Sequence, residues 1–171
     1  MIFRLSEKLN AKIKAGALAA VPLNDNPIAD WSAHLFVAGR TQYVLLSNTK
    51  SLYSTVMYGR GITNDSQFIE RALSTLREFM EGEGQEVVYR RFIAPASASV
   101  RFARALDRSV TGSMNELIRE AGWWLAEGDL SPHEVGVRLN DTFLSALGLS
   151  GSASYGKPRE AFAELVGRAG S

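Results

Sequence analysis

The stretch "DWSAHLFVAGRTQYVLLSN", residues 30–48, decides the fold of this chain. Its first half places an apolar side chain at every second position, at Trp31, Ala33, Leu35 and Val37. This period of two is typical of a half-buried β-strand. The dipeptide Gly39-Arg40 fits a two-residue turn, and residues 41–47 return as a mostly apolar strand. The stretch therefore predicts a β-hairpin.

The segments around the hairpin carry weaker signals. "MIFRL", residues 1–5, indicates a short strand, and residues 49–61 permit either a strand or a short helix. Residues 64–84 place apolar side chains at positions i, i+3 and i+4, which predicts a long helix. "EVVYRRFI", residues 86–93, indicates another strand, and residues 99–108 favour a short helical turn.

The second half of the chain is predicted to be nearly all helical. "SMNELIREAGWWLAEG", residues 113–128, has one apolar side. Ser131, Pro132 and Glu134 form a complete helix-start signal, because they supply a hydroxyl cap, a first-turn proline and a capping-box glutamate. The Gly/Ser-rich segment at about residues 148–157 predicts a flexible linker before a short C-terminal helix.

Together these elements predict one α+β domain over residues 1–171. We expect a mainly antiparallel sheet of about four strands, with helices packed on one face and a helical C-terminal half. A chain of 171 residues is long enough to bury a sizeable core without disulfides or metals.

Composition and charge exclude several classes of protein. The chain has 19 basic and 18 acidic residues, a net charge of +1, which argues against a domain that wraps duplex nucleic acid mainly by charge. It has no run approaching the 18 or so apolar residues that span a bilayer, and its N-terminus lacks the apolar core of a signal peptide. We expect no association with membranes and a cytoplasmic location.

The residues that usually hold metals are scarce. The chain has no cysteine, which excludes disulfides, thiolate nucleophiles and cysteine-ligated metals. His34 and His133 lie far apart, and neither has the spacing of a known metal motif. We therefore expect neither a metal nor a cofactor.

His34 is the one candidate for a catalytic residue. It lies in the predicted strand, on the face opposite Trp31, Ala33, Leu35 and Val37. Imidazole titrates near neutral pH and so suits general acid or base chemistry. A hydrogen-bonded histidine at the surface of a sheet explains the same position without any ligand.

Arginines form a second set of candidates. Arg91 follows Arg90 in a predicted strand, so the two point to opposite faces, and Arg91 is a candidate anion ligand. Arg101, Arg104 and Arg108 would line one face if residues 99–108 were helical. That stripe would bind phosphate or would be an ordinary solvated face.

The segment "SNTKSLYS", residues 47–54, follows the end of the second hairpin strand. Loops after strands often carry binding groups. Asn48, Thr49, Lys50 and Tyr53 are therefore candidate ligand contacts. The alternative is a turn, in which Asn48 and Thr49 bond to the neighbouring backbone.

The stretch "RSVTGSMNEL", residues 108–117, combines hydroxyls, an amide and an arginine. Ser113 and Glu116 match a capping box, which predicts that a helix begins at this serine. Capping leaves four polar side chains unexplained: Arg108, Ser109, Thr111 and Asn115. Either these four, with Ser113, bind an anion at a helix start, or they bond to neighbouring loops of the protein.

The adjacent residues Trp123 and Trp124 lie about 100° apart on a helix. One can therefore lie in the core while the other borders the surface. A tryptophan at the border would be a partner contact or a stacking platform. Core packing of both is the alternative.

Three segments resemble a known family. "DWSAHLF", "TQYVLLSNTKSLYS" and "DRSVTGSMNEL" in this order are similar to a family of small bacterial proteins classed as a domain of unknown function. The resemblance runs from Trp31 to about Leu117. It implies a bacterial, cytoplasmic, single-domain protein, and it assigns no activity or catalytic residue.

Three functions are consistent with these features. The first is a non-enzymatic interaction module that recognises a protein or a nucleic acid through Asn48–Tyr53 and Arg108–Asn115. The second is a small metal-independent hydrolase or nuclease acting on a phosphate ester. It would use His34 as acid or base, with Arg91 and Arg108 stabilising the transition state. The third is a sensor of a small anion.

Overall fold

The computed structural model describes residues 1–148 and 156–171. In that part of the chain five strands form one sheet. They are β1 (Ile2–Leu5), β2 (Asp30–Ala38), β3 (Thr41–Asn48), β4 (Ser54–Tyr58) and β5 (Arg101–Ala103). Their spatial order is β4-β3-β2-β1-β5.

The β2–β3 hairpin is confirmed, and it forms the centre of a mixed sheet. Strand β3 pairs antiparallel with both β2 and β4, whereas β1 pairs parallel with both β2 and β5. Gly39 opens the hairpin turn with a φ of 60°, as the first central position of a type II′ turn requires. The single α+β sheet is thus as predicted, with one more strand and a parallel half.

Six helices accompany the sheet in the described residues. They are α1 (Glu7–Ile13), α2 (Asp65–Gly82), α3 (Glu86–Val88), α4 (Arg108–Glu127), α5 (Pro132–Leu139) and α6 (Pro158–Ala169). The helical C-terminal half is confirmed, and so is the capping box that Ser131 and Glu134 form at the start of α5. Of the predicted flexible linker, residues 149–155 lie outside the described residues, while Gly156 pairs with Leu144 in an isolated bridge.

Helices cover both faces of the sheet, so the prediction of one covered face was wrong. Val44 and Leu46 pack with α1, α2 and α6 in one cluster, while Leu45 packs with α4 and α5 in another. Consecutive buried apolar residues on a strand require cover on both sides, because successive side chains point to opposite faces. The unbroken run "VLL" was the signal for this arrangement.

Residues 86–93 are helical, and the predicted strand there was wrong. The turn α3 continues as a π-helical segment over Tyr89–Ile93. Tyr89 and Ile93 are buried four residues apart, and Arg90 lies 3.5 Å from the carboxylate of Glu86, one helical turn away. These i, i+4 relationships outweigh the β-branched composition of the segment.

The region around Arg108 also differs from the prediction. Residues 101–103 extend as β5 instead of forming a helical turn, so Arg101, Arg104 and Arg108 do not share a helix face. Helix α4 begins at Arg108, five residues after the end of β5 and five residues before Ser113. Asp107 caps it by accepting a 2.9 Å hydrogen bond from the backbone N–H of Val110. Ser113 is therefore a buried residue inside the helix and not its cap.

Candidate functional site

A cleft opens where the parallel strands β1 and β5 end side by side. The chain leaves β1 into α1, whose Leu9 and Ile13 pack in the cluster containing Val44. It leaves β5 towards α4, whose Leu117 packs in the cluster on the opposite face. Connections that depart to opposite faces leave a crevice at the carboxyl ends of the strands, which is where ligands bind in open parallel sheets.

The cleft has a volume of about 1470 Å³. The apolar residues that line it include Leu18, Leu35, Phe36 and Ile118. Its polar residues come from α1 and its cap, β2, β3, the loop after β5, and α4: Ser6, Glu7, Lys8, Asn10, His34, Gln42, Arg104, Thr111 and Asn115. Small-molecule sites typically measure roughly 300–1,000 Å³, so this cleft has room for a ligand of nucleotide size.

A buried ion pair supports the backbone at Arg104, on one side of the cleft. The guanidinium of Arg4 donates two 2.8 Å hydrogen bonds to the carboxylate of Asp30, and both side chains are fully buried. Arg4 also donates to the carbonyl oxygens of Val21, at 2.7 Å, and Arg104, at 3.4 Å. The backbone of Arg104 is thereby anchored to β1 while its side chain remains exposed.

His34 lies at the inner side of the cleft. It pairs with Leu45 in the sheet and is 8 % exposed. Burial lowers the pKa of His34 below its ordinary value of 6.5, because desolvation penalises the charged imidazolium. Within residues 1–148 and 156–171, no hydrogen bond involves its imidazole, so the neutral ring presents one donor and one acceptor to the cleft.

Helix α4 brings two of its predicted polar residues into the cleft. Thr111 and Asn115 are one turn apart and both line it. The hydroxyl of Thr111 donates a 3.2 Å bond to the carbonyl oxygen of Asp107, and the amide of Asn115 is exposed. Arg108 and Ser109 are exposed outside the lining. The stretch "RSVTGSMNEL" thus contributes two side chains to the cleft.

The cationic groups of the cleft are available for a ligand. Neither Lys8 nor Arg104 forms a side-chain ion pair with any described residue. Glu7 is the one carboxylate among the described lining residues, so the charged lining is one acid against two bases. This balance favours an anionic ligand.

The hydroxyl groups of the cleft are already engaged. The Ser6 hydroxyl caps α1, accepting from the backbone N–H of Leu9 at 3.3 Å and of Leu35 at 3.4 Å. The hydroxyl of Thr111 bonds to its own helix. No nucleophilic hydroxyl with an adjacent base is therefore found among the described lining residues.

The loop Asn48–Tyr53 is separate from the cleft and serves as a turn. The amide nitrogen of Asn48 donates to the carbonyl oxygens of Pro27 and Asp30, at 2.9 and 3.1 Å, and its oxygen accepts from Ser51. Thr49 is buried, 2.8 Å from the hydroxyl of Ser32, while Lys50 is exposed. These bonds explain Asn48 and Thr49 without a ligand.

Tyr53 is fully buried under α6. Its ring stacks on that of Phe162 at a centroid distance of 4.5 Å. Burial and the nearby Glu83 raise the pKa of Tyr53. Its hydroxyl has no hydrogen-bond partner among the described residues. Tyr53 has no access to the cleft, so it is not a contact of the proposed site.

Arg91 is also remote from the cleft. Its guanidinium lies over the ring of Phe92, 5.1 Å from the centroid, and the side chain is exposed. The arginine that does line the cleft is Arg104. The sequence pattern identifies Arg104 only as part of a helical stripe, and it gives no signal for Lys8 or Gln42. Arg104 and Lys8 come together because β1 pairs in parallel with β2 and β5. No local sequence pattern predicts this pairing.

Neither a metal-binding cluster nor a membrane-spanning helix occurs among the described residues. No group of three or more His, Asp or Glu side chains there is arranged to hold a metal ion. No described helix is long and apolar enough to cross a membrane.

Residues 2–161 match the family described as a domain of unknown function (DUF6933), so the chain belongs to that family. The match extends well beyond the three segments that first suggested it. No curated protein and no solved structure shows significant similarity to the chain.

Proposed function

We propose that this domain of unknown function is a non-enzymatic binding module that holds a small organic anion in the cleft between α1 and α4. One observation carries the proposal. The guanidinium of Arg104 and the imidazole of His34, neither of which bonds to a described residue, line one cleft with apolar side chains, at the carboxyl ends of two parallel strands.

The lining suits a ligand with one charged end and one apolar, preferably planar, end. Arg104 and Lys8 offer charge-assisted hydrogen bonds to a carboxylate or phosphate. Phe36, Leu35 and Ile118 offer an apolar surface to the remainder of the molecule. His34 and Asn115 supply donors and acceptors that discriminate among anions.

A small ligand fits these residues better than a nucleic acid or a protein does. The three arginines that would have formed a phosphate-binding stripe are divided between β5, the following loop and α4. The loop Asn48–Tyr53, the other half of the predicted partner surface, is mostly buried. Of the proposed binding functions, the cleft therefore best supports a sensor of a small anion.

One observation favours a second candidate, a hydrolase with His34 as acid or base. The imidazole is kept neutral by burial and faces an open cleft, as a general base requires. Because Ser6 and Thr111 are engaged, water would have to be the nucleophile. Arg91 and Arg108 lie outside the cleft, so Arg104 would take their place beside the anion.

The experiment is a thermal-shift screen followed by calorimetric titration. The probes are benzoate, adenosine monophosphate and inorganic phosphate, which separate the apolar end from the charge. We expect an organic anion to stabilise the protein more than phosphate does. Arg104→Ala should weaken its binding by about tenfold or more, since a hydrogen bond to a charged group contributes roughly 1.5–3 kcal/mol.

Arg101→Ala is the matched control, because Arg101 is an exposed arginine three residues away that does not line the cleft. Equal losses of affinity in both variants would contradict the proposal, and so would the absence of binding by every organic anion. Hydrolysis of a phosphate ester that depends on His34 would favour the second candidate.

A further inference from the structure

The exposed face of α4 carries a second feature, far along the helix from the cleft. Trp123 is 66 % exposed and Phe143, in the segment after α5, is 63 % exposed. Both line one depression of about 770 Å³, together with Trp124 and Arg138. Large apolar side chains that cluster on a surface mark a contact site more reliably than single ones do.

Phe143 is held in place by contacts within the chain. The hydroxyl of Thr142 donates a 2.7 Å hydrogen bond to the carboxylate of Glu120, which ties the segment of Phe143 to α4. The ammonium of Lys157 lies 4.9 Å from the ring centre of Phe143. A surface held in this way loses little conformational entropy on binding.

Trp123 itself has no such cover. Trp124 beside it lies under the guanidinium of Arg138, 5.7 Å from the ring centre. Among the described residues no aromatic ring and no cation stacks on Trp123. An uncovered tryptophan next to an arginine has the composition of a binding hot spot.

The charged residues of this face indicate which kind of partner binds it. Glu120 and Arg138 are both exposed, and neither forms an ion pair within the described residues. Asp141 is already paired with Arg159 at 3.1 Å, so Glu120 and Arg138 leave one charge of each sign for a partner. A nucleic acid would select a face of net positive charge. A face with balanced opposite charges around an apolar centre complements a second copy of itself across a two-fold axis.

We propose that this face, centred on Trp123 and Phe143, is the interface of a symmetric dimer of this chain. Trp123 of each copy packs against the aromatic centre of the other. Glu120 of each copy pairs with Arg138 of the other, since a two-fold axis creates both contacts at once. The proposal is independent of the anion cleft.

The first test is the mass of the purified chain by light scattering and sedimentation over a range of concentrations. We expect the wild-type chain to dimerise, and Trp123→Ser to raise the dissociation constant by about 30-fold, the factor to which a hot-spot loss of ~2 kcal/mol corresponds. Val87→Ser is the control, because Val87 is 65 % exposed on α3. It should leave the dimer intact.

The second test uses charge reversal across the interface. Glu120→Arg and Arg138→Glu should each be monomeric alone, because each places like charges opposite one another. Mixed in equal amounts they should form a heterodimer, in which both contacts join opposite charges. Circular dichroism should confirm that each variant is folded.

Three outcomes would overturn the proposal. They are a monomeric wild-type chain at every concentration, a dimer that Trp123→Ser leaves unchanged, and charge variants that do not associate when mixed. A monomer that binds single-stranded RNA or a protein through Trp123 would assign the face to that other partner.

Discussion

The guanidinium of Arg4 and the carboxylate of Asp30 form a bidentate ion pair with no exposure to solvent. The pair joins β1 to β2 diagonally, because Asp30 lies opposite Ile2 in the parallel register and Arg4 lies opposite Ser32. Through the carbonyl oxygen of Arg104 it also fixes the end of β5. One buried pair therefore connects the packing of the parallel strands to the wall of the cleft.

Breaking this pair should destabilise the protein severely. Asp30→Ala leaves the guanidinium of Arg4 buried without its counter-charge, which typically costs about 3–5 kcal/mol. Urea unfolding followed by circular dichroism measures the loss. Arg77→Ala is the control, because Arg77 forms an exposed i, i+4 pair with Glu81 and should matter little. Comparable effects in the two variants would contradict the role of the buried pair.

Alanine substitutions at two glycines test the start of α4 and the packing of α5 against the sheet. Gly112 is exposed in the interior of α4 with open space around it, so Gly112→Ala should stabilise the protein by about 0.5–1 kcal/mol. A Cβ on Gly136 would lie 3.0 Å from the ring of Phe79 and 3.1 Å from the Cα of Thr55. Gly136→Ala should therefore destabilise by about 1–3 kcal/mol. Chemical unfolding measures the free energy of unfolding of both variants. If Gly112→Ala were destabilised, the helix would begin later, at Ser113.

Most substitutions in the core lower the free energy of unfolding, but removal of the buried hydroxyl of Tyr53 should not. Tyr53→Phe keeps the stack on Phe162 and removes a hydroxyl that has no partner among the described residues. The free energy of unfolding should be unchanged or slightly higher, because no buried group loses a hydrogen bond. Anion binding should also be unchanged. A large loss of stability would indicate that the hydroxyl of Tyr53 forms a hydrogen bond in solution.

Stability should depend on pH through His34. Its pKa is lower in the folded state than its ordinary value of 6.5, so between the two values the unfolded chain binds more protons. The free energy of unfolding should therefore fall as the pH falls through 6.5, and this contribution should level off below the folded pKa. His34→Gln should lack this part of the pH dependence. Parallel pH profiles for the two proteins would show that burial does not suppress protonation of His34.

The elements of this fold that local pattern determines were predictable, and the contacts between distant segments were not. The alternation in residues 30–48 and the glycine turn were sufficient for the hairpin, and Ser131 with Glu134 was sufficient for the start of α5. Segments with two competing signals failed. Residues 86–93 combine β-branched residues with helical i, i+4 pairs, and Asp107 competes with Ser113 as a helix cap.

The candidate site was predictable only in part, for the same reason. His34, Thr111 and Asn115 were identified by residue type and local context, and they line the same cleft. Lys8 and Arg104 join them because β1 pairs with β2 and β5 in parallel, at separations of about 28 and 99 residues along the chain. Pairings between such distant segments leave no periodic trace in the sequence.

The most direct test of the central claim is two-dimensional NMR of the labelled protein, titrated with the organic anion that stabilises it most in the screen. The account predicts that the signals of Lys8, His34, Arg104 and Asn115 shift together, and that the bound anion raises the pKa of His34. Signals that stay in place throughout the cleft, or shifts confined to the face around Trp123, would contradict it.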